Sequence, residues 1–566
     1  ILNLIQAKPL LRKVFDMRNE TAYLFSRKGE TMKELTRRNF LLGSSVAAAG
    51  VLGAGMLSAC SPSAESPAEA TAEEPSLKEA TQTKEADVVV AGLGAAGLLA
   101  AYGAATGGCS VIAIDAAASM DGTTNTRTSA AFAVGSSLQD PSPEPLTIEE
   151  FMDYVNTGTN YQSNNKALRA IIEASGKAVD VFVDAGMPFN VDFTNSTKAD
   201  AMMVRGGCVY GVAGEERAEY FTKIVDEAGV ECLFNTTAES LIIEDGKVAG
   251  VQCVSGKDVI DIKAKAVILA TGGFLGSEEE TAKHFAGAKI VCMGNMLNTG
   301  AGINMAISAG AQLGKCFSIS MNEYGGANTK ASPTYSFRPT SGTNEAMRLP
   351  VFGGILLDGS GERFVNEGVM CEKTMFCCEP LVRESYYYAV CDEAFMKRWE
   401  TEPLPTFLGD ERMKGMFADI VASDIREQFD KAVDEGWAFK ADTLAELAEH
   451  FGLSNLEQTV AQYNEYCDKG ADELFFKDAK YLTPVKEGPF YIVESMPAGW
   501  LSLGGIKCNA RCQAVDPDNK VIDGLFVAGA DADLFTSPYY AAGSANGFAV
   551  GSGLIAGEEA AKAVKA

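Results

Sequence analysis

The 566-residue chain is long enough for two to four domains, and 47% apolar content with 57 glycines reads as globular and loop-rich rather than disordered. A formal net charge of −27 argues against nucleic acid, whose phosphates it would repel, and is read as a solvated acidic surface. With two histidines, His284 and His450, and no Cys-x-x-Cys-His, a multi-histidine metal site and a c-type haem are excluded.

Residues 1–31 read as an untranslated leader. Met32 is the first convincing start, and Lys28-Gly29-Glu30-Thr31 before it is encodable as a purine-rich ribosome-binding run. Thr36-Arg37-Arg38-Asn39-Phe40-Leu41-Leu42 then fits the twin-arginine export consensus. An apolar stretch from Phe40 ends at Leu57-Ser58-Ala59-Cys60, a lipobox that would make Cys60 a lipid-bearing N-terminus. Residues 32–60 are therefore expected to be an export signal. The protein would sit outside the cytoplasm, touching the membrane through its lipid alone; a plain spanning anchor is the alternative. Residues 61–86, rich in Ala, Glu, Pro, Ser and Thr, read as a flexible tether.

Asp87-Val88-Val89-Val90-Ala91 is a short apolar run, as in a buried parallel strand. Gly92-Leu93-Gly94-Ala95-Ala96-Gly97 follows at once, and Leu98–Thr106 reads as a small-residue helix. Ser110–Ile114 is a second strand ending in Asp115, 18 residues past the last glycine. The glycines permit a tight turn, close approach of a pyrophosphate and close helix–strand packing. The helix N-terminus offers N–H groups to phosphates, and Asp115 can accept from ribose hydroxyls. A lone G-x-G-x-x-G is weak; strand, helix, strand and terminal acid together point to an adenine dinucleotide.

Three later segments carry more. Ala266-Val267-Ile268-Leu269-Ala270-Thr271-Gly272-Gly273-Phe274 is a strand ending in A-T-G-G-F. Gly524–Asp531 is another strand with a terminal acid, and the last helix passes through Gly543-Ser544-Ala545-Asn546-Gly547. Together they resemble the FAD-binding flavoprotein of the fumarate reductase/succinate dehydrogenase family. The branch is the single-chain one, with soluble fumarate reductases, urocanate reductase and 3-ketosteroid dehydrogenases. The resemblance covers residues 87–566. It implies an α/β fold: a Rossmann-like FAD-binding domain (87–320 and 490–566) with an inserted α+β capping domain (321–489). Hydride would pass between flavin N5 and a C=C bond. By position, Gly92, Gly94, Ala95, Ala96, Gly97 and Asp115 would hold the adenosine and diphosphate end. Thr123, Thr124, Ser129, Ala130 and Ala238 would line the cofactor. Thr271, Gly272 and Gly273 would lie near the diphosphate, Asp531 on the ribityl chain, and Gly543, Ser544 and Ala545 near the isoalloxazine.

The resemblance also shows departures. Arg363-Phe364-Val365-Asn366-Glu367 matches the family's R-F-x-N-E, but the arginine that acts as acid four residues later is Cys371 here. Glu345-Ala346-Met347-Arg348 preserves the proton-relay motif E-A-x-R. The family's two substrate-clamping histidines align with Asn322 and Leu501, and its second clamping arginine with Tyr540. A buried dicarboxylate without cations would cost several kcal/mol, on the order of the penalty for an unpaired charge, so fumarate and succinate are not expected. Tyr539-Tyr540-Ala541-Ala542-Gly543 matches the Tyr-x-x-x-Gly by which the ketosteroid enzymes polarise a ketone. The expected catalytic set is thus Tyr539, Tyr540 and Gly543 at a carbonyl, with Glu345, Arg348, Glu367 and Cys371 moving the proton.

Past Cys60 the thirteen cysteines match no ferredoxin spacing and read as ordinary buried thiols, with no metal site assigned. The expected enzyme is an exported FAD-dependent reductase of an unsaturated small molecule (an enone, steroid or aryl acrylate). With no haem motif and no second dinucleotide loop, electrons would come from an external cytochrome, flavoprotein or quinol-linked donor. The alternatives are a ketosteroid-type dehydrogenase running in reverse and a non-catalytic flavin electron carrier.

Overall fold

The computed structural model describes residues 77–126, 128, 130–159, 161–192, 205–212, 214–314, 318–320, 344–352, 354–368, 381–403, 421–534 and 543–566. Strand β1 (Gln82–Ala91) starts polar and half-exposed and ends in a fully buried apolar run. Helix α1 (Ala95–Thr106) and strand β2 (Val111–Ile114) follow, then β3 (Glu231–Leu233), β4 (Thr237–Glu244), β5 (Lys247–Ser255), β6 (Asp258–Leu269), β7 (Gln513–Val515), β8 (Val521–Val527) and a closing helix α2 (Ser544–Lys565).

These strands make one eight-stranded sheet in the order β7-β8-β6-β1-β2-β3, with β4 and β5 paired at the side of β6. Strands β8, β6, β1, β2 and β3 are mutually parallel. Burial on both faces explains their near-continuous Val, Ile and Ala runs. One face packs on α1 and α2 through Leu98, Leu99, Val550 and Leu554; the other packs on Phe132, Phe151, Ile171 and Ile303.

Residues 344–368, 381–403 and 421–496 build a second lobe around a four-stranded antiparallel sheet. Its strand order is Ile355–Leu357, Tyr387–Cys391, Phe490–Ser495, Ala438–Ala441. One face carries Phe395, Trp399, Phe429 and Trp437, the other Leu447, Leu456, Val460 and Tyr463. Mixed helix and antiparallel sheet inserted before β7 and β8 is the α+β cap architecture expected. Two short ladders flank the second lobe: Val291–Cys292 runs parallel to Ala498–Gly499, with Val291 and Ala498 in that lobe's core, and Ser318–Ser320 runs antiparallel to Leu501–Leu503, with Leu503 in the first lobe's core.

Two element bounds differ from those read in the sequence. Strand β1 begins five residues before Asp87, because Gln82–Ala86 pair with Ile260–Ala264 of β6 although they form no apolar run. Phe490–Ser495 belongs to the second lobe's sheet, not to the returning part of the first, because Tyr491 and Val493 feed one of that lobe's cores and Phe490 and Ile492 the other. Among the described residues no helix is long and apolar enough to cross a membrane. The leader, the export signal and Cys60 lie outside the described residues.

Candidate functional site: a cofactor groove and a buried acid

Because β1, β2, β6 and β8 are parallel neighbours, the loops after their carboxyl ends meet. Gly92 takes φ +97°, and a Cβ there would lie 2.3 Å from the Ala270 carbonyl oxygen; a Cβ on Gly97 would lie 1.7 Å from the Gly92 carbonyl oxygen. Only glycine fits at either position. Gly94 is different: a Cβ there would meet only Thr124, at 3.6 Å, so that side of the loop is open. Ala95 and Ala96 start α1, whose first turn has no acidic residue and no side-chain cap. Its N–H groups and positive end are left for an anion.

Two carboxylates flank this opening. Asp115 accepts from the Leu93 N–H at 2.7 Å and the Ala117 N–H at 2.8 Å. Burial raises its pKa, and the two N–H groups pull it back only in part. Its own carbonyl accepts from the Thr236 N–H, which brings the start of β4, with Ala238, alongside. Asp531, fully buried just past β8, accepts from the Thr271 N–H at 2.5 Å, the Thr271 hydroxyl at 2.9 Å and the Gly273 N–H at 3.0 Å. Burial raises its pKa too, against those donors. Asp531 thus shapes the Thr271-Gly272-Gly273 loop as Asp115 shapes the glycine loop at Gly92.

The other cofactor-lining assignments divide. Thr124 faces Gly94, and its hydroxyl accepts from Asn295 Nδ2 at 3.5 Å. Thr123 is turned inward: its hydroxyl donates to the Met120 carbonyl and accepts from Asn125, so it serves the turn rather than the groove. Gly543 caps α2 ahead of Ser544 and Ala545, and its Cα side lies 3.1–3.2 Å, at Cβ distance, from Ala130. Ser129, Cys371, Tyr539 and Tyr540 lie outside the described residues, as does Asn322. Sequence reasoning missed Asn125, whose Nδ2 donates to the Leu93 carbonyl at 2.6 Å, and Ser502, whose Oγ accepts from the Phe274 N–H at 3.0 Å. Neither residue stands in a pattern that announces it.

In the second lobe, Glu345 and Arg348 form a buried ion pair on a single 3-10 turn. The turn is held from outside by Gln428, whose side chain accepts from the Glu345 N–H at 2.7 Å. Burial pushes the Glu345 carboxyl above its usual range even with Arg348 beside it. A carboxyl so placed holds its proton more tightly than an exposed glutamate does. Glu367, expected with it, is a correction. Its oxygens accept from Arg363 Nε at 2.8 Å, an Arg363 terminal nitrogen at 2.6 Å and the Leu356 N–H at 3.1 Å, and Lys477 lies 3.5 Å away. Burial works against its charge, yet Lys477 and Arg363 outweigh it and hold the pKa low. With Asp472 on the other side of Arg363 at 2.9 Å, this is a saturated structural network rather than a proton carrier.

Burial raises the pKa of Cys208 and Cys253 to about 12, as for inert thiols. Among the described residues no cluster of His, Cys, Asp and Glu could hold a metal ion.

The groove therefore suits FAD: an open glycine loop over a helix N-terminus for the diphosphate, the partly exposed Asp115 for a hydroxyl-bearing sugar, and a facing loop that the buried Asp531 holds from behind. The profile of the FAD binding domain family matches residues 87–547. A vinyl phenol reductase of Lactiplantibacillus plantarum is 28% identical over 82% of this chain and 94% of its own length. A 3-oxosteroid 1-dehydrogenase of Mycolicibacterium smegmatis is 27% identical over 54% of this chain, and the chain spans 54% of that protein. The open conformation of a flavocytochrome c3 fumarate reductase superposes with a TM-score of 0.62 at 22% identity, over 86% of this chain and 79% of that one. The chain belongs to the FAD binding domain family, within the fumarate reductase/succinate dehydrogenase flavoproteins, and is an FAD-dependent oxidoreductase.

Proposed function

We propose that the protein reduces an activated C=C bond of a neutral or singly charged, largely apolar substrate such as an enone, a steroid or an aryl alkene. The observation that carries this reading is Leu501. Its strand pairs with Ser318–Ser320, and the next residue, Ser502, bonds the Phe274 N–H beside Gly273. Where the family resemblance expects a cationic clamp against the cofactor loop, a half-buried leucine stands on the first lobe's core. A second carboxylate there would lose its hydration with no histidine to replace it. Bound FAD supplies the hydride. The Glu345–Arg348 pair holds the proton that completes saturation at the neighbouring carbon. For a conjugated ketone, Tyr539 is assigned to polarise the carbonyl. The vinyl phenol reductase of L. plantarum, by name a reductase of such a neutral aryl alkene, supports the substrate class.

The same reading places the enzyme outside the cytoplasm, tethered through Cys60 and fed by an external donor, on the strength of the Arg37-Arg38 and Leu57–Cys60 motifs. The 3-oxosteroid relative and the Tyr539-to-Gly543 spacing favour one second reading, the reverse dehydrogenation of a saturated ketone.

The test is anaerobic reoxidation of the dithionite-reduced protein by fumarate, urocanate, cinnamate, 4-vinylphenol and enone steroids. Reoxidation by a neutral alkene at least about tenfold faster than by fumarate is expected, about 1.4 kcal/mol of discrimination. Rapid turnover of fumarate would overturn the substrate class. Turnover only with a saturated ketosteroid and an oxidising dye would establish the reverse reaction.

A further inference from the structure

Asn298 lies in the segment that follows Val291–Cys292, and two backbone bonds lay this segment on the A-T-G-G-F loop. The Gly276 N–H donates to the Asn298 carbonyl at 2.9 Å, and the Gly300 N–H donates to the Gly273 carbonyl at 2.8 Å. On the opposite side Asn295 reaches across, its Nδ2 donating to the Gly122 carbonyl at 3.2 Å and to Thr124 Oγ1 at 3.5 Å. Asn298 is thus fixed between the Gly94–Thr124 wall of the cofactor groove and the Thr271–Gly273 wall.

Asn298 is 5% exposed, its amide has no hydrogen-bond partner among the described residues, and its polar atoms are not wholly sealed from the groove. The amide lies flat on Gly272: a Cβ at that glycine would be 2.7–2.9 Å from Oδ1, Cγ and Nδ2 alike. Neighbouring polar groups are already engaged, Thr271 and Gly273 with Asp531, Asn295 with Thr124. An amide set this deep, with no protein partner and an outlet to the groove, is placed for a ligand. Such a group is retained where a ligand completes it.

We propose that Asn298 is a cofactor-binding residue of this chain, its amide bonding the ribityl–diphosphate stretch of FAD where that stretch crosses Gly272. The inference rests on FAD occupying the groove and not on which alkene is reduced. An amide offers both a donor and an acceptor, which suits a ribityl hydroxyl; a diphosphate oxygen would use the donor alone.

The test is a pair of measurements on Asn298→Ala and Asn298→Asp in the full chain. FAD affinity is read by fluorescence quenching on titrating apoprotein, and Tm is read with and without FAD. The alanine variant is expected to bind FAD about tenfold more weakly, about 1.4 kcal/mol. Its Tm without FAD should be unchanged, since no protein hydrogen bond of the amide is removed. Its Tm with FAD should be lower. The aspartate variant keeps FAD if the partner is a hydroxyl and loses it far more than alanine does if the partner is a diphosphate oxygen. Equal losses of Tm with and without FAD, or unchanged FAD affinity in both variants, would overturn the assignment. A failed substrate screen with these FAD effects intact would count only against the proposed substrate.

Discussion

Asp531 in the first lobe and Glu367 in the second are both buried carboxylates at the centre of three or more hydrogen-bonding or charged atoms, yet their partners differ in kind. Asp531 accepts only from N–H groups and one hydroxyl, so burial raises its pKa. Glu367 lies between Arg363 and Lys477, and its pKa is held low. Glu345 falls between them, with one arginine and a carboxyl still pushed up. Partner type separates function from scaffold. A carboxylate neutralised by two cations has no proton to give and no lone pair to spare. One held by neutral donors ties down the backbone of the cofactor loop, and one with a single cation keeps a proton within reach.

The largest effect should come from breaking the cation-held case. Arg363→Met leaves Glu367 and Asp472 facing each other with Lys477 alone, and is expected to destabilise the protein by about 3–5 kcal/mol in urea unfolding. The pKa of Asp472 is held at about 2 and that of Glu367 below its usual range. Lowered values contribute stability that is present above the ordinary carboxylate pKa and lost as pH falls through the folded one. Wild-type stability should therefore drop between about pH 4 and pH 2 through this network, and the variant should lose that acid transition.

The intermediate case predicts a kinetic effect. Glu345→Gln should slow substrate reduction by about 100-fold, ~2.7 kcal/mol at the transition state, with dithionite reduction of the flavin unchanged. A stopped-flow comparison of the two half-reactions reads this directly; an equal slowing of both would make Glu345 merely structural.

The neutral-donor case sharpens the comparison with the smallest effect and the opposite sign. The folded pKa of Asp531 is raised, so the folded protein holds a proton more tightly than the unfolded one. Stability of FAD-free protein should then fall as pH rises from the ordinary carboxylate range through the raised value, at up to about 1.4 kcal/mol per pH unit. Asp531→Asn should flatten that slope in Tm-versus-pH scans, and a slope left intact would assign it to another group.

What was legible in the sequence follows the same division. The turn at Gly92–Gly97 and Asp115 could be read because strand, loop, helix and strand lie within 30 residues and each imposes a local rule. The start of β1 at Gln82 could not, because its partners in β6 are some 178 residues away and its own residues are polar. Glu367 was misread for a similar reason. Its motif stands beside Arg363, but the groups that commit it to structure, Asp472 and Lys477, come more than a hundred residues later. Asn298 gave no signal at all, since nothing near it in sequence distinguishes a buried amide from a solvated one.

The bond between Asp531 and Thr271 spans 260 positions of chain. Closing a loop of that length costs about 5 kcal/mol on the (3/2)RT ln n scale, and the whole second lobe lies inside it. Strand β8 must also slot in beside β6 before the A-T-G-G-F loop acquires its carboxylate. During synthesis everything up to Asp531 must therefore leave the ribosome before the second wall of the groove exists. A chain truncated before Asp531 would carry the glycine fingerprint intact and is expected to be colourless, because its Thr271–Gly273 loop would lack the carboxylate that holds it.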